Sequence, residues 1–111
     1  DDGSWEKMMS KFLHAQILCD IGNPSDAMLK FKAAISEGEK RKDHFMLGQI
    51  YSNLYLLCRS AGDSESLTYA EKALNEYVIF GDELYIVDGE MNVGNIGFIR
   101  SRRKNWIYVQ E

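Results

Sequence analysis

The chain repeats itself at a spacing of about 40 residues, and that period limits the possible folds more than any single motif. Cys19 and Cys58 lie 39 residues apart, as do Asn53 and Asn92, Leu54 and Val93, and the pairs Ala34-Ile35 and Ala73-Leu74. Ser4, Asp43 and Asp82 share that spacing, and each opens an apolar-periodic run as a helix N-cap. Gly22 and Gly62 are 40 apart, so the turn absorbs one residue. Between these markers apolar residues recur at i, i+3, i+4 and i+7, as Met8, Met9, Phe12, Leu13, Ile17, Leu18 and Ile21 do in the first run. That is the period of an amphipathic helix. A chain of 111 residues is one domain at most, or part of one. Two helices in each unit of about 40 residues mark a helical-hairpin solenoid. The expected class is therefore all-α: an α-α superhelix of antiparallel helix pairs, about two and a half repeats, as a single domain over residues 1–111.

The punctuation agrees. Gly22-Asn23 stops the first helix, because glycine tolerates the left-handed conformation past a helix end. Pro24 follows where its missing N–H matters least, at the start of a second helix capped by Asn23 or Ser25. That helix is expected to run to about Lys42 and a third from Asp43 to about Ala61. Gly62-Asp63-Ser64 turns into a fourth, "ESLTYAEKALNEYVIF". Gly81-Asp82 breaks it, a fifth is expected from Asp82 to about Arg100, and "KNWIYVQE" reads as the first turns of a sixth. Pro24 is the only proline, which favours helices over a turn-rich β fold.

Within the second run, Ala27, Phe31 and Ala34 lie at i, i+4 and i+7, on one helix face directly after the turn. Small residues let two backbones approach, and an aromatic one turn away fills the space beside the crossing. Ala15, seven residues before Gly22, faces the same crossing. In this the chain resembles the tetratricopeptide-repeat family, whose pattern places a small residue on the first helix, then a Gly-Asn or Gly-Asp turn, then small, aromatic and small on the second. Leu54, Gly62-Asp63, Ala70 and Ala73 repeat the pattern more loosely, and Val93-Gly94 resembles the family's Leu-Gly pair. The period exceeds the family's usual 34. It is similar to that of the long-helix variants in bacterial peptide-sensing and transcription-regulator proteins and in kinesin light chains.

The resemblance implies binding of a peptide or protein segment in a concave groove lined by the first helix of each repeat. Carried over position by position, the groove would consist of Met9, Phe12, Gln16 and Cys19 in the first repeat. The second would give Gln49, Asn53, Leu56 and Arg59, and the third Asp88, Asn92 and Asn95. Asn53 and Asn92 share a register. An asparagine offers both a donor and an acceptor to an extended backbone, or it serves only to cap or solvate a helix face, and both readings stay open. The flanking positions Phe12, Gln16, Asp88 and Asn92 hold no cation, so the clamp with which the chaperone-binding subfamily grips a carboxylate is not expected.

Other chemistry finds little support. The two cysteines form no CxxC or Cys/His cluster, so neither a zinc site nor a disulfide framework is expected, and both read as buried reduced thiols. His14 and His44 are isolated, and no nucleophile elbow occurs, so no enzyme and no cofactor is expected. "GNIG" at 94–97 lies inside a helical pattern and reads as close helix packing. Four of the 13 basic residues cluster in "RSRRK" at 100–104; residues 1–99 carry 9 basic and 16 acidic residues, a net of −7. The cluster reads as cations at a helix C-terminus followed by a packed Trp106, and the modest overall charge of −4 argues against a nucleic-acid binder. No apolar run is long enough to span a membrane, and a cytoplasmic origin fits the thiols. The opening "DDGSW" has no initiator Met and reads as part of a longer protein. The expected function is a protein- or peptide-binding scaffold, the interaction or regulatory part of a larger signalling or transcription-regulator protein. The alternative is a homo-oligomerisation domain that pairs through its open C-terminal end.

Overall fold

The computed structural model describes residues 3–80 and the backbone of 84–86, 96–101 and 106–110. Residues 4–80 form four helices and no strand: α1 (Ser4–Asp20), α2 (Pro24–Arg41), α3 (His44–Ser60) and α4 (Ser66–Phe80). Connections of three, two and five residues join them, and links this short make neighbouring helices antiparallel. The cross-links show it. Ser4 meets Arg41, Lys11 meets Glu37 and Phe12 meets Phe31, so numbers rise on α1 as they fall on α2. His44 meets Glu76, and Tyr51 meets Tyr69, in the second pair.

The first three helices end the same way. Asn23, Asp43 and Asp63 each donate a backbone N–H to the carbonyl five residues back, and the residue before each donates to the carbonyl three back. This double bond pattern consumes carbonyls a helix end would otherwise leave unpaired, and it needs a left-handed residue. Gly22 (φ 80°) and Gly62 (φ 71°) supply it without strain, whereas Lys42 does so at φ 53°. At the starts of α2 and α3, the side chains of Asn23 and Asp43 accept from the N–H of Asp26 and Met46. Ser4 is not a cap. Gly3 holds that position with no side-chain bond, and Ser4 is the first helical residue, buried, its hydroxyl accepting from the Arg41 guanidinium. The hydroxyl is drawn across the hairpin to a charged donor instead of back to its own helix.

One apolar core runs through both hairpins. In the first it contains Met8, Phe12, Ala15, Ala27, Phe31 and Ala34; in the second Leu47, Ile50, Leu54, Tyr55, Cys58, Ala70 and Ala73. Phe31 is fully buried, edge-on to Phe12 with ring centroids 5.5 Å apart. The expected small–aromatic–small face is therefore the hairpin contact. α1 and α3 have equal length and begin 40 residues apart, so Met8 corresponds to Gly48. On the second helices, buried Phe31, Ala34 and Gly38 recur 39 residues on as Ala70, Ala73 and Tyr77. A Cβ on Gly38 would press on Leu47 of α3 at 2.7 Å and reach ordinary contact with the Met8 sulfur at 3.7 Å; a Cβ on Gly48 would meet the Tyr77 ring at 2.8 Å. The bulky partner comes from the first helix in one hairpin and from the second helix in the other, so the crossing stays filled.

The same 40-residue register explains the outer face of α1. Leu47, Ile50 and Leu54 are buried on α3, whereas their counterparts Lys7, Ser10 and His14 are exposed. α3 is packed by α2 on one side and α4 on the other; α1 packs chiefly on α2. At 84–86 and 96–101, within the expected fifth helix over 82–100, and at 106–110, where a sixth is expected to start, the described backbone is strand instead. Strands β1 (Leu84–Ile86), β2 (Ile96–Ser101) and β3 (Trp106–Gln110) make an antiparallel sheet in the order β1-β2-β3, with Phe98 opposite Tyr108 and Tyr85 opposite Arg100. Three glycines in 89–97 and β-branched and aromatic residues in "IGFIRS" and "WIYVQ" favour a pleated chain over a helix. Arg100 and Ser101 thus end a strand rather than a helix, and Ile96-Gly97 of "GNIG" open one. Among the described residues no helix is long and apolar enough to cross a membrane.

Candidate functional site

The face that α1 and α3 present away from their hairpin partners is set by helix geometry. With α1 and α3 in a 40-residue register, Met9, Leu13, Gln16 and Asp20 on α1 match Gln49, Asn53, Leu56 and Ser60 on α3. Each set lies at i, i+4, i+7 and i+11, one stripe of a helix. Between the C-terminal half of α1 and the middle of α3 opens a cleft of about 350 Å³, lined by Gln16, Cys19, Asp20 and Asn53. The structure therefore brings Gln16, Cys19 and Asn53 together at one cleft.

The other expected groove residues fare differently. Phe12 does not belong to this face. It is buried in the first hairpin against Phe31. Its neighbour Leu13, 51% exposed, is the true counterpart of Asn53. The sequence could not separate the two, since adjacent apolar residues fit one helical period equally well until the partner helix selects a face. Met9 is half-buried and packs on the core edge, and Gln49 is half-buried. Leu56 is 44% exposed, one turn from Asn53 on the same face, and Arg59 is exposed beyond it. Asp88, Asn92 and Asn95 lie outside the described residues.

Asn53 is held rather than loose. Its Nδ2 donates to the Gln49 carbonyl at 2.8 Å, one turn back on its own helix. That bond uses one of the two amide N–H groups; the second N–H and Oδ1 remain for other partners. Asp20 carries no signal in the sequence, because an acidic residue at a helix end reads as ordinary solvation. It ends α1, whose last turn contains no basic residue. The partial negative charge of a helix C-terminus therefore adds to its carboxylate. The field is felt next door: burial first, and the Asp20 charge second, push the Cys19 thiol above its ordinary pKa. Cys19 is half-buried at the cleft and Cys58 fully buried, where burial likewise raises its pKa. Neither thiol is set up as a thiolate nucleophile.

Elsewhere the charged groups serve the hairpins. Lys11 Nζ lies 2.6 Å from Glu37 Oε1, and the Ser36 hydroxyl donates to Oε2. His44 Nδ1 lies 2.7 Å from Glu76 Oε1, so His44 ties α3 to α4. Tyr51 and Tyr69 stack at 6.1 Å with Lys72 over both rings, and burial, reinforced by Glu65, pushes the Tyr69 hydroxyl up to about 12. Among the described residues no group of three His, Cys, Asp or Glu side chains could hold a metal ion. Compared with known proteins, the chain matches no family model, no curated protein and no solved structure.

Proposed function

We propose that this chain is a peptide-binding scaffold of the tetratricopeptide type, the interaction part of a larger regulator, in which α1 and α3 present the binding face. The observation that carries the reading is the cleft itself. Amide side chains from two helices, Gln16 and Asn53, converge on it from equivalent faces, with half-exposed Leu13 and Leu56 one turn away on either helix. Amides suit an extended backbone and the leucines suit alternate side chains, the division of labour by which grooves read peptides. The local patterns support the family resemblance: Leu47-Gly48 with Tyr51 follows the L-G-x2-Y signature, and Ala27 with Phe31 follows A-x3-F. In both, the residues are buried where a stacked hairpin needs them.

The test is a peptide array of extended pentamers probed with the 111-residue chain, with backbone amide shifts mapped for the best ligands. Shifts clustered on Gln16–Asp20 and on Gln49–Leu56, and loss of binding in the Gln16→Ala, Asn53→Ala double variant, are the expected outcome. Ligands that shift only α4, or a double variant that binds as well as the parent, refute it. The alternative, pairing of two copies through the C-terminal end, draws on the sheet order: β1 and β3 are its edge strands, and edges pair with other chains unless blunted. Sedimentation across a concentration series separates the two, since a monomer at about 100 μM, far above the Kd of a specific dimer, excludes pairing.

A further inference from the structure

The cleft between α1 and α3 offers acceptors to whatever enters it. Asp20 contributes a carboxylate, reinforced by the unbalanced C-terminal end of α1. Asn53 is fixed by the bond from its Nδ2 to the Gln49 carbonyl, which uses one N–H, and it offers Oδ1 as an acceptor. Gln16 contributes an amide that can turn its own oxygen inward. Among the described residues that line the cleft there is no lysine or arginine. The volume, about 350 Å³, is at the lower end of ligand sites, which run from roughly 300 to 1,000 Å³, so it suits one long side chain better than a large organic ligand.

Resting on the peptide-face reading above, we infer that this cleft is a pocket for a cationic side chain, a lysine or arginine of an extended partner segment whose flanking apolar residues lie against Leu13 and Leu56. A lysine or arginine stem packs on apolar surface while its head carries only donors. Three convergent acceptors match such a head and would leave a carboxylate partner repelled by Asp20. The net charge of the chain, −4, favours the approach of a basic segment over an acidic one.

The probes are three peptides, acetyl-Ala-Leu-Lys-Leu-Ala-amide and its versions with norleucine or glutamate in place of lysine, titrated into the isotope-labelled 111-residue chain. The lysyl peptide should shift the amides of Gln16, Cys19, Asp20 and Asn53, and bind about tenfold more tightly than the norleucine peptide, the scale of one charge-assisted hydrogen bond. Asp20→Asn, a change at an exposed helix end, should erase most of that preference, bringing the lysyl peptide to within about twofold of the norleucine peptide. Cys19 gives an independent readout: Cys58 is fully buried, so alkylation under native conditions reports the cleft, and the lysyl peptide should slow it. If lysyl and norleucine peptides bind equally at these residues, the peptide face stands and the cation pocket is wrong. If the glutamyl peptide binds best, it is likewise wrong. If no peptide of the set or the array shifts these amides, both readings fall together.

Discussion

Gly48 offers the most demanding check of the packing. A Cβ built on it would lie 2.8 Å from Tyr77 Cζ and 2.9 Å from both ring Cε atoms. Tyr77 is fully buried and its ring meets Phe45 edge-on, 6.0 Å between centroids, so the ring cannot simply swing away. Two opposing contributions decide the effect of Gly48→Ala. An exposed helical glycine replaced by alanine gains about 1 kcal/mol in helix propensity. Overpacking a full core costs about 1–3 kcal/mol. The balance is a net loss of up to about 2 kcal/mol. Tyr77→Ala alone should cost about 3–5 kcal/mol, the scale for deleting a buried aromatic. In that background the obstacle to a Cβ is gone, and adding Gly48→Ala should now stabilise by about 1 kcal/mol. The sign reversal is the signature, a coupling of about 1–3 kcal/mol between the two positions. Urea melts of the four proteins, followed by circular dichroism, measure it. A gain of stability from Gly48→Ala in the parent, or the same change in both backgrounds, would show that the two residues do not touch and that the large–small exchange between hairpins is wrong.

Phe31→Ala should cost about 3–5 kcal/mol in the same assay, because the ring is fully buried at the α1–α2 contact; a loss under about 1 kcal/mol would place it elsewhere. Lys42→Gly should raise stability by about 1 kcal/mol, since the residue ends α2 at φ 53°, a conformation costly for any residue with a Cβ; a drop would mean the lysine side chain holds the turn. The hydrogen bond from Lys11, and more weakly that from Ser36, hold the Glu37 carboxyl below its ordinary pKa against the opposing effect of burial. A folded-state pKa below the unfolded one means this contribution is present above the ordinary glutamate value of about 4.3 and lost as pH falls through the folded one. Glu37→Gln should therefore be less stable than the parent at neutral pH, with the difference vanishing on acidification; a difference unchanged by pH refutes the pairing. Asn53→Ala should alter stability by less than about 0.5 kcal/mol, as for a surface change, while weakening peptide binding. If it unfolds the chain, its bond to Gln49 is structural.

The local grammar of residues 4–80 could be read before any packing was known. Gly22-Asn23-Pro24, Asp43 and Gly62 act on their own backbone, through a left-handed residue, a side-chain cap or a missing N–H, and such effects depend on a few neighbours in sequence. The Ala27, Phe31, Ala34 face was legible for the same reason: helical period alone puts them together. What needed tertiary structure was every choice between options of nearly equal local merit. Phe12 and Leu13 are adjacent and both apolar, and only the crossing of α1 on α2 turned Phe12 inward and left Leu13 exposed. Ser4 could cap its helix, yet a guanidinium 37 residues away took its hydroxyl. Nothing local marks Gly48 as a position where the Tyr77 ring lies against the backbone. Asp20 and Asn53 come to line one cleft only because α3 is placed beside α1. At 96–101 and 106–110 the helical reading fails, because cross-strand partners such as Phe98 with Tyr108, ten residues apart, are contacts that no local period encodes. Local steric and capping preferences are decided within a turn of chain, whereas the face a side chain buries is decided by whichever distant surface arrives to cover it.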